Sequence, residues 1–422
     1  MIRQVGGSSL FVFLMVCASL LLHLADPGLI EYKGDEAYMH ASVTASDGHS
    51  AFPRLGMPSG AAGLPNPGMS IWVFSAPAKL FGIESVEGLS RFVGMSFVIG
   101  AFLFFAYLLT TRSLSSIDRA AWLWGVGLSS VNPVLLLFTR KIWAQSLLPI
   151  FSMAIFVLWI EKKRHPLVRV ALAFLCVLIG QIHMSGFFLG GALLAFELRE
   201  VLLKRASLTP LLMGALLGVL PLLPWLSEII SPEGALHLRN AVGSASGDIP
   251  EIFKFRFWTY LLGFEHASGL RSSLGQNFAT FARIPWVGAS LAATLGLLIV
   301  AILGGIRKLR LSKLNPFDSP TASTEVLILG ILGCGILMSL TGVRIHRHYL
   351  IVLTPLIGMG LARLYLVIFP RKGTLLLVAY TLFQLVLSVE MLRFIDKNRG
   401  APDADFGVPY KYQMEHSKEP QP

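Results

Sequence analysis

The run Gly68-Met69-Ser70-Ile71-Trp72-Val73-Phe74-Ser75-Ala76-Pro77-Ala78-Lys79-Leu80-Phe81 decides how the rest of the chain is threaded. It is apolar but only 14 residues long, and a helix needs about 20 to cross the hydrocarbon core of a bilayer. If it does not cross, Leu10 to Ala25 is the first span, and ten more follow near 91–110, 120–138, 142–160, 167–182, 184–203, 208–229, 285–306, 325–343, 349–369 and 374–392. The N-terminus then lies inside and the C-terminus outside. The inner connections hold Arg112 and Arg119; Lys162, Lys163, Arg164 and Arg169; Arg199, Lys204 and Arg205; Arg307, Lys308, Arg310 and Lys313; and Arg371 and Lys372. A crossing at 68–81 would turn every one of these outward. Because Lys and Arg gather in inner loops, the charges decide against it. The segment is expected to lie in the interface or to re-enter.

The composition agrees with a bilayer as solvent. At 54% hydrophobic and 14% charged residues the chain is not a soluble globular protein. Its net charge of +11 resides mostly in short loops between apolar runs, so it marks membrane topology and not a nucleic-acid partner. Cys17, Cys176 and Cys334 fall within apolar segments without metal-ligand spacing and read as packed thiols. No small-x-small cleavage site precedes Glu31, so the first run reads as a retained signal-anchor helix. The expected fold is therefore an all-α integral membrane bundle of about 11 transmembrane helices. One membrane domain, 1–392, contains a first outer loop at 26–90 with juxtamembrane helices and a long outer loop at 231–284. A polar segment, 393–422, follows, and from Asn398 onward it is expected to be mobile and outside.

The span interiors are almost free of charge, unlike those of an ion-coupled transporter. Charge collects instead at the outer rim. Just beyond the first span stands Glu31-Tyr32-Lys33-Gly34-Asp35-Glu36-Ala37-Tyr38-Met39-His40. Asp35 and Glu36 open a plausible short helix, where Asp as N-cap and Glu in the first turn have an ordinary structural role. Their other role is chemical: one carboxylate acts as a general base toward an attacking hydroxyl while the second tunes it. Glu36 and His40 are four apart and share a helical face, a weak signal for a divalent metal that nothing else requires. Arg140 with Lys141, and Arg344 with Arg347, either anchor lipid headgroups or form an anion site for a lipid phosphate. In the second case they stabilise charge growing on a phosphate leaving group. His183, beside Gln181, is a polar helix end or a contact to that phosphate. Trp258, with Phe257 and Tyr260, is an interfacial aromatic or a stacking surface for a sugar. Tyr38, His40, Asn66, Gln145, Arg256, Trp258, His346 and His348 complete the candidate sugar or acceptor contacts. Walker A, GxGxxG, HExxH and GxSxG motifs do not occur, which removes nucleotide, zinc-protease and serine-hydrolase readings.

Residues 1–230 resemble the GT-C glycosyltransferases, more closely the family 39 type that includes protein O-mannosyltransferases and the aminoarabinose transferases of lipid A. The resemblance rests on Gly34-Asp35-Glu36-Ala37-Tyr38, on Leu64-Pro65-Asn66-Pro67 leading into Trp72 and Lys79-Leu80-Phe81-Gly82, on Arg91, and on Asn132-Pro133 ahead of Arg140-Lys141. It implies a GT-C-like bundle with catalytic Asp35, Glu36 beside it, and 68–81 as a juxtamembrane helix. It further implies inverting transfer of a sugar from a polyprenyl-phosphate donor to a lipid, glycan or protein hydroxyl at the outer face, without a nucleotide. Asn66 and His183 stand where some relatives have lysine, so donor recognition is expected to differ there. A carrier that flips or exports a lipid-linked saccharide, and a ligase joining whole glycans, are the competing functions. The chain has no Asn-x-Ser/Thr sequon, which favours a bacterial inner membrane.

Overall fold

A computed structural model describes residues 2–58, 64–232, 234, 251–311, 321–340 and 345–416. All regular structure among these residues is helical, apart from three isolated β-bridges. In chain order the α-helices are α1 (Ile2–Leu24), α2 (Gly34–Thr44), α3 (Met69–Phe81), α4 (Val86–Thr110), α5 (Ser116–Ser130), α6 (Pro133–Phe138) and α7 (Leu148–Glu161). Next come α8 (Pro166–Ile182), α9 (Ser185–Leu202), α10 (Leu208–Val219) and α11 (Leu223–Ile229). They are followed by α12 (Phe255–His266), α13 (Leu270–Leu274), α14 (Asn277–Ala282), α15 (Pro285–Leu311), α16 (Ala322–Ile328) and α17 (Cys334–Leu340). The last three are α18 (Leu356–Ile368), α19 (Gly373–Lys397) and α20 (Tyr410–His416).

Every expected span falls on helical structure, but not each on one rod: 120–138 is broken between α5 and α6, 349–369 is bent by 66° between residues 347–353 and α18, and 341–343 lies outside the described residues. Six rods are long and apolar enough to cross a bilayer alone, or seven if the bent pair 347–353 and 356–368 counts as one. The stretch Ser8–Leu24 of α1, and α3 and α8, are apolar but shorter. The protein is thus a multi-pass membrane protein, and the full count of eleven is not reached by length and composition alone. Segment 68–81 is a helix of 13 residues, α3, too short to cross at 1.5 Å per residue. It packs on α2.

Local capping signals set helix starts that the apolar runs alone misplace: α4 begins at Val86, five residues before the expected 91, and α6 begins inside the expected span 120–138. Ser85 caps α4 by accepting from the Gly88 amide at 3.0 Å, and Asn132 caps α6 by accepting from the Leu135 amide at 2.9 Å, with Pro133 at the first helical position. Small residues set the crossings. At Gly125 on α5 a Cβ would come within 2.7 Å of the Met359 backbone nitrogen on α18, so the two helices touch along their backbones. α1 packs against α4 and α5, and α8 packs against α7, α9 and α10.

One expectation is overturned. Residues 399–416 are not a mobile tail: Ala401, Phe406 and Gly407 are buried, and α20 lies across the chain that joins α1 to α2; the expectation for 417–422 lies outside the described residues. Tyr410 donates its amide to Ile30 O at 3.0 Å, and Glu31 pairs with Pro409 in an antiparallel bridge. Polar composition suggests disorder only when a segment has nothing to bind. Here the exposed backbone of residues 30–32 supplies the partner.

Candidate active site

The site forms where α1 ends. Its last turn leaves carbonyls without helical partners, and Arg140 satisfies them. The guanidinium donates to Leu22 O at 2.7 Å, to His23 O at 3.5 Å and to Asp26 O at 2.6 Å. Arg140 is 2% exposed. The sequence reading made it a headgroup anchor or a phosphate ligand; Nη1 and Nη2 are committed to the backbone, while Nε has no partner among the described residues.

Its neighbour Lys141 turns to the acidic stretch. The ammonium is ion-paired with Glu31 and sits 4.1 Å from the centroid of the Trp143 ring. Glu31 also meets Lys33 at 3.6 Å. Burial pushes the Glu31 carboxyl above its ordinary range, against the opposing pull of Lys141 and Lys33.

α2 separates the two candidate carboxylates. Lys33 is the N-cap residue, so Asp35 is the second residue of the helix and not its cap. The capping role falls to Glu36, which accepts the Lys33 amide at 3.0 Å. Glu36 is fully buried, and its Oε1 has no hydrogen-bond partner among the described residues. Burial raises its pKa to about 7; Lys141 opposes the rise and Glu31 adds to it. Asp35 is exposed. The capping role thus belongs to Glu36, and Asp35 is left exposed.

Asp35 lines a pocket of about 90 Å³ with Asn66, Gln145, His183, His348 and the ring of Trp143. Residues far apart in sequence meet here because five segments converge: the N-terminus of α2, the loop before α3, the chain before α7, the turn after α8, and the stretch 347–353 before α18. Asn66 is held by a pinched loop in which Leu55 bridges Pro67 and the Gly56 amide donates to Asn66 O at 2.7 Å. Its Nδ2 donates to Met57 O at 3.0 Å, which fixes the amide orientation. Oδ1 is then an acceptor with no partner among the described residues.

His183 ends α8. The Ser185 amide donates to its Nδ1 at 3.3 Å and Ser185 Oγ lies 2.9 Å from the same nitrogen, contacts that suit a neutral ring protonated at Nε2. Burial lowers its pKa to about 4, which keeps the imidazole neutral at ordinary pH. The sequence reading left His183 as a polar helix end or a hydrogen-bonding contact to the donor phosphate or sugar; the neutral ring lines the pocket. His348 stacks against His346 at 5.6 Å and meets Trp143 edge-on at 5.5 Å.

Other expected contacts lie elsewhere. Arg347 donates to Gly269 O and Ser272 Oγ and lies 5.2 Å from the Tyr260 ring, so it braces α13. His40 binds Glu84 O at 2.8 Å through Nε2, and Tyr38 packs edge-on against His49 at 4.7 Å. Trp258 donates Nε1–H to Ile252 O at 3.0 Å, a strap within its own loop. Arg344 and the side chain of Arg256 lie outside the described residues. Sequence reasoning missed Trp143 and Tyr349 as pocket walls and Glu31 as the partner of Lys141. The position of Trp143 two residues after Lys141 was the one available signal. Among the described residues no group of three or more His, Cys, Asp or Glu side chains is placed to hold a metal ion.

Comparison with known proteins gives shape and little else. No protein-family profile matches the chain, and no curated protein matches it. Two solved structures are similar to it in fold. One is the crystal structure of ArnT from Cupriavidus metallidurans bound to undecaprenyl phosphate, at 15% identity over 93% of this chain and 78% of that one, TM-score 0.48. The other is the same protein in the apo state, at 14% identity over 95% and 84%, TM-score 0.46.

Proposed function

We propose that this protein is an inverting glycosyltransferase of the GT-C type, moving a sugar from a polyprenyl-phosphate donor to a hydroxyl at the extracytoplasmic face. One observation carries the reading. An exposed carboxylate, Asp35, shares a small pocket with a neutral N–H donor, His183, and an unpartnered amide oxygen, Asn66, just beyond the end of an apolar rod.

The roles follow from the chemistry. Asp35 takes the proton of the acceptor hydroxyl as its oxygen attacks the anomeric carbon. The bond from that carbon to the phosphate oxygen breaks on the opposite face, and its electron pair leaves with the lipid phosphate. Such a leaving group needs little protonation, so one base suffices. Lys141, behind Trp143, supplies positive charge, and His183 Nε2–H a hydrogen bond, to the oxygen that becomes negative. Asn66 Oδ1 accepts from a sugar hydroxyl.

The test is Asp35→Asn in purified protein with a polyprenyl-phosphate sugar. Donor binding should persist while transfer falls on the order of 10³-fold. A variant that retains transfer removes Asp35 as base. A carrier would keep moving the lipid-linked saccharide between leaflets in the same variant. Mass spectrometry of envelope glycans and glycolipids, with and without the protein, identifies the acceptor.

A further inference from the structure

The chain between α1 and α2 has little structure of its own. It makes one 3-10 turn at Pro27–Leu29, entered through Asp26, a non-glycine residue at φ 40°. A left-handed residue needs its conformation imposed by partners. Asp26 has two. Arg140 holds its carbonyl from within the bundle, and Lys411 holds its carboxylate at 2.5 Å from outside. The same ammonium reaches Asp396 at the end of α19, also at 2.5 Å.

The following residues are bound in the same way. Tyr410 donates its amide to Ile30 O, and Gln413 Nε2 donates to Tyr32 O at 2.8 Å. Tyr32 meets the Tyr410 ring edge-on at 4.9 Å, and Lys33 donates to Asp405 O. Gly28 leaves room for this approach: a Cβ there would lie 2.9 Å from Lys411 Cβ. Every residue from Ile30 to Lys33 therefore touches the C-terminal segment, and Lys33 is the N-cap from which Asp35 projects.

The other end of that segment is tied to the opposite side of the pocket. Phe406, 2% exposed, donates its amide to Ser273 O at 2.9 Å. Ser273 lies in α13, the helix gripped by Arg347, one residue before His348. One strap thus joins the chain leading to Asp35 with the segment that braces His348.

We propose that residues 401–413 are a clamp that sets the position of Asp35 against the His348 wall, with Lys411 as its principal positioning residue. For its catalytic consequence the proposal rests on the transferase reading. The clamp acts on geometry, so its loss lowers turnover and leaves donor affinity nearly unchanged.

The experiment compares full-length wild type with Lys411→Met, which keeps the stem over Gly28 and removes the ammonium, and with Lys411→Arg, which restores a cation. Two readouts are taken: hydrogen–deuterium exchange across residues 26–36, and steady-state transfer. Lys411→Met should exchange faster across 26–36, lose about tenfold in kcat with donor KM within twofold, and show unchanged exchange in α4 and α5. Lys411→Arg should recover most of both effects. Unchanged exchange at 26–36 overturns the clamp whatever the activity does, and faster exchange with wild-type kcat overturns its positioning role. If Asp35→Asn transfers normally in the same assay, the transferase reading falls by itself, and exchange alone then decides whether the clamp exists.

Discussion

Two lysines stand at opposite ends of one rod and share a design. Lys141 precedes the helical stretch 144–161 and Lys162 follows it, so they are about 27 Å apart along its axis. Each is buried, and each lies over a tryptophan: Lys141 at 4.1 Å from Trp143, Lys162 at 3.2 Å from Trp159. Their acids differ. Lys162 meets Glu197 at 3.0 Å and Glu325 at 3.4 Å, and Arg169 closes the network at 3.3 Å from Glu197. Lys141 has Glu31 as its ion pair and sits behind Trp143, a wall of the pocket of about 90 Å³; Lys162 borders a larger cavity of about 530 Å³, so the two ends differ in their acids and not in having space beside them. A cation surrounded by two carboxylates has no charge left to offer a ligand. A cation with one partner, beside a cavity, can trade that partner for a phosphate. The first arrangement locks helices together, and the second can do chemistry.

The largest expected effect belongs to Asp35, whose loss should cost the roughly 10³-fold stated above. The next largest effect belongs to Lys141. Lys141→Met should lower transfer about 10²-fold through lost stabilisation of the leaving phosphate, with a modest change in thermal stability because Glu31 keeps Lys33 at 3.6 Å. Lys162→Met should show the reverse. It strands Glu325, while Glu197 keeps Arg169, so stability should fall by about 3 kcal/mol with transfer per folded molecule unchanged. Thermal unfolding and transfer assays on the two variants check both statements. A Lys162→Met protein that is stable but inactive would invert the assignment of the two ends.

What the sequence disclosed follows from what each residue answers to. The rods were readable because a bilayer imposes length and apolarity locally, and α3 was readable as a non-crossing helix because the loop cations had to face one way. Asp35, Asn66, Gln145, His183 and His348 were singled out as polar groups at span ends, and they share a pocket. The backbone contacts of Arg140 and Arg347 were not readable, because a guanidinium suited to phosphate also suits backbone carbonyls. Only tertiary structure shows that α1 and α13 present those carbonyls. The C-terminal segment was misread for a related reason: its partners are the backbone of residues 30–32, which leave no trace in side-chain chemistry.

The smallest expected effect separates the two carboxylates of the site. Glu36 is raised to about 7 by burial, from an ordinary value near 4.5. The folded protein therefore holds this proton more tightly than the unfolded chain between those values, and stability from this group is complete below about 4.5 and lost as pH rises through 7. With each unit worth 1.36 kcal/mol, the loss is at most about 3 kcal/mol above pH 7. Glu36→Gln keeps an oxygen for the Lys33 amide and cannot ionise. Its thermal stability relative to wild type should climb between pH 5 and 8 and level off beyond. Transfer at pH 6, where Glu36 is largely protonated, should differ little between the two proteins. If Glu36→Gln instead abolishes transfer at pH 6 without moving the stability profile, the catalytic carboxylate is the buried one. The division of labour along α2, with capping by Glu36 and chemistry by Asp35, would then be reversed.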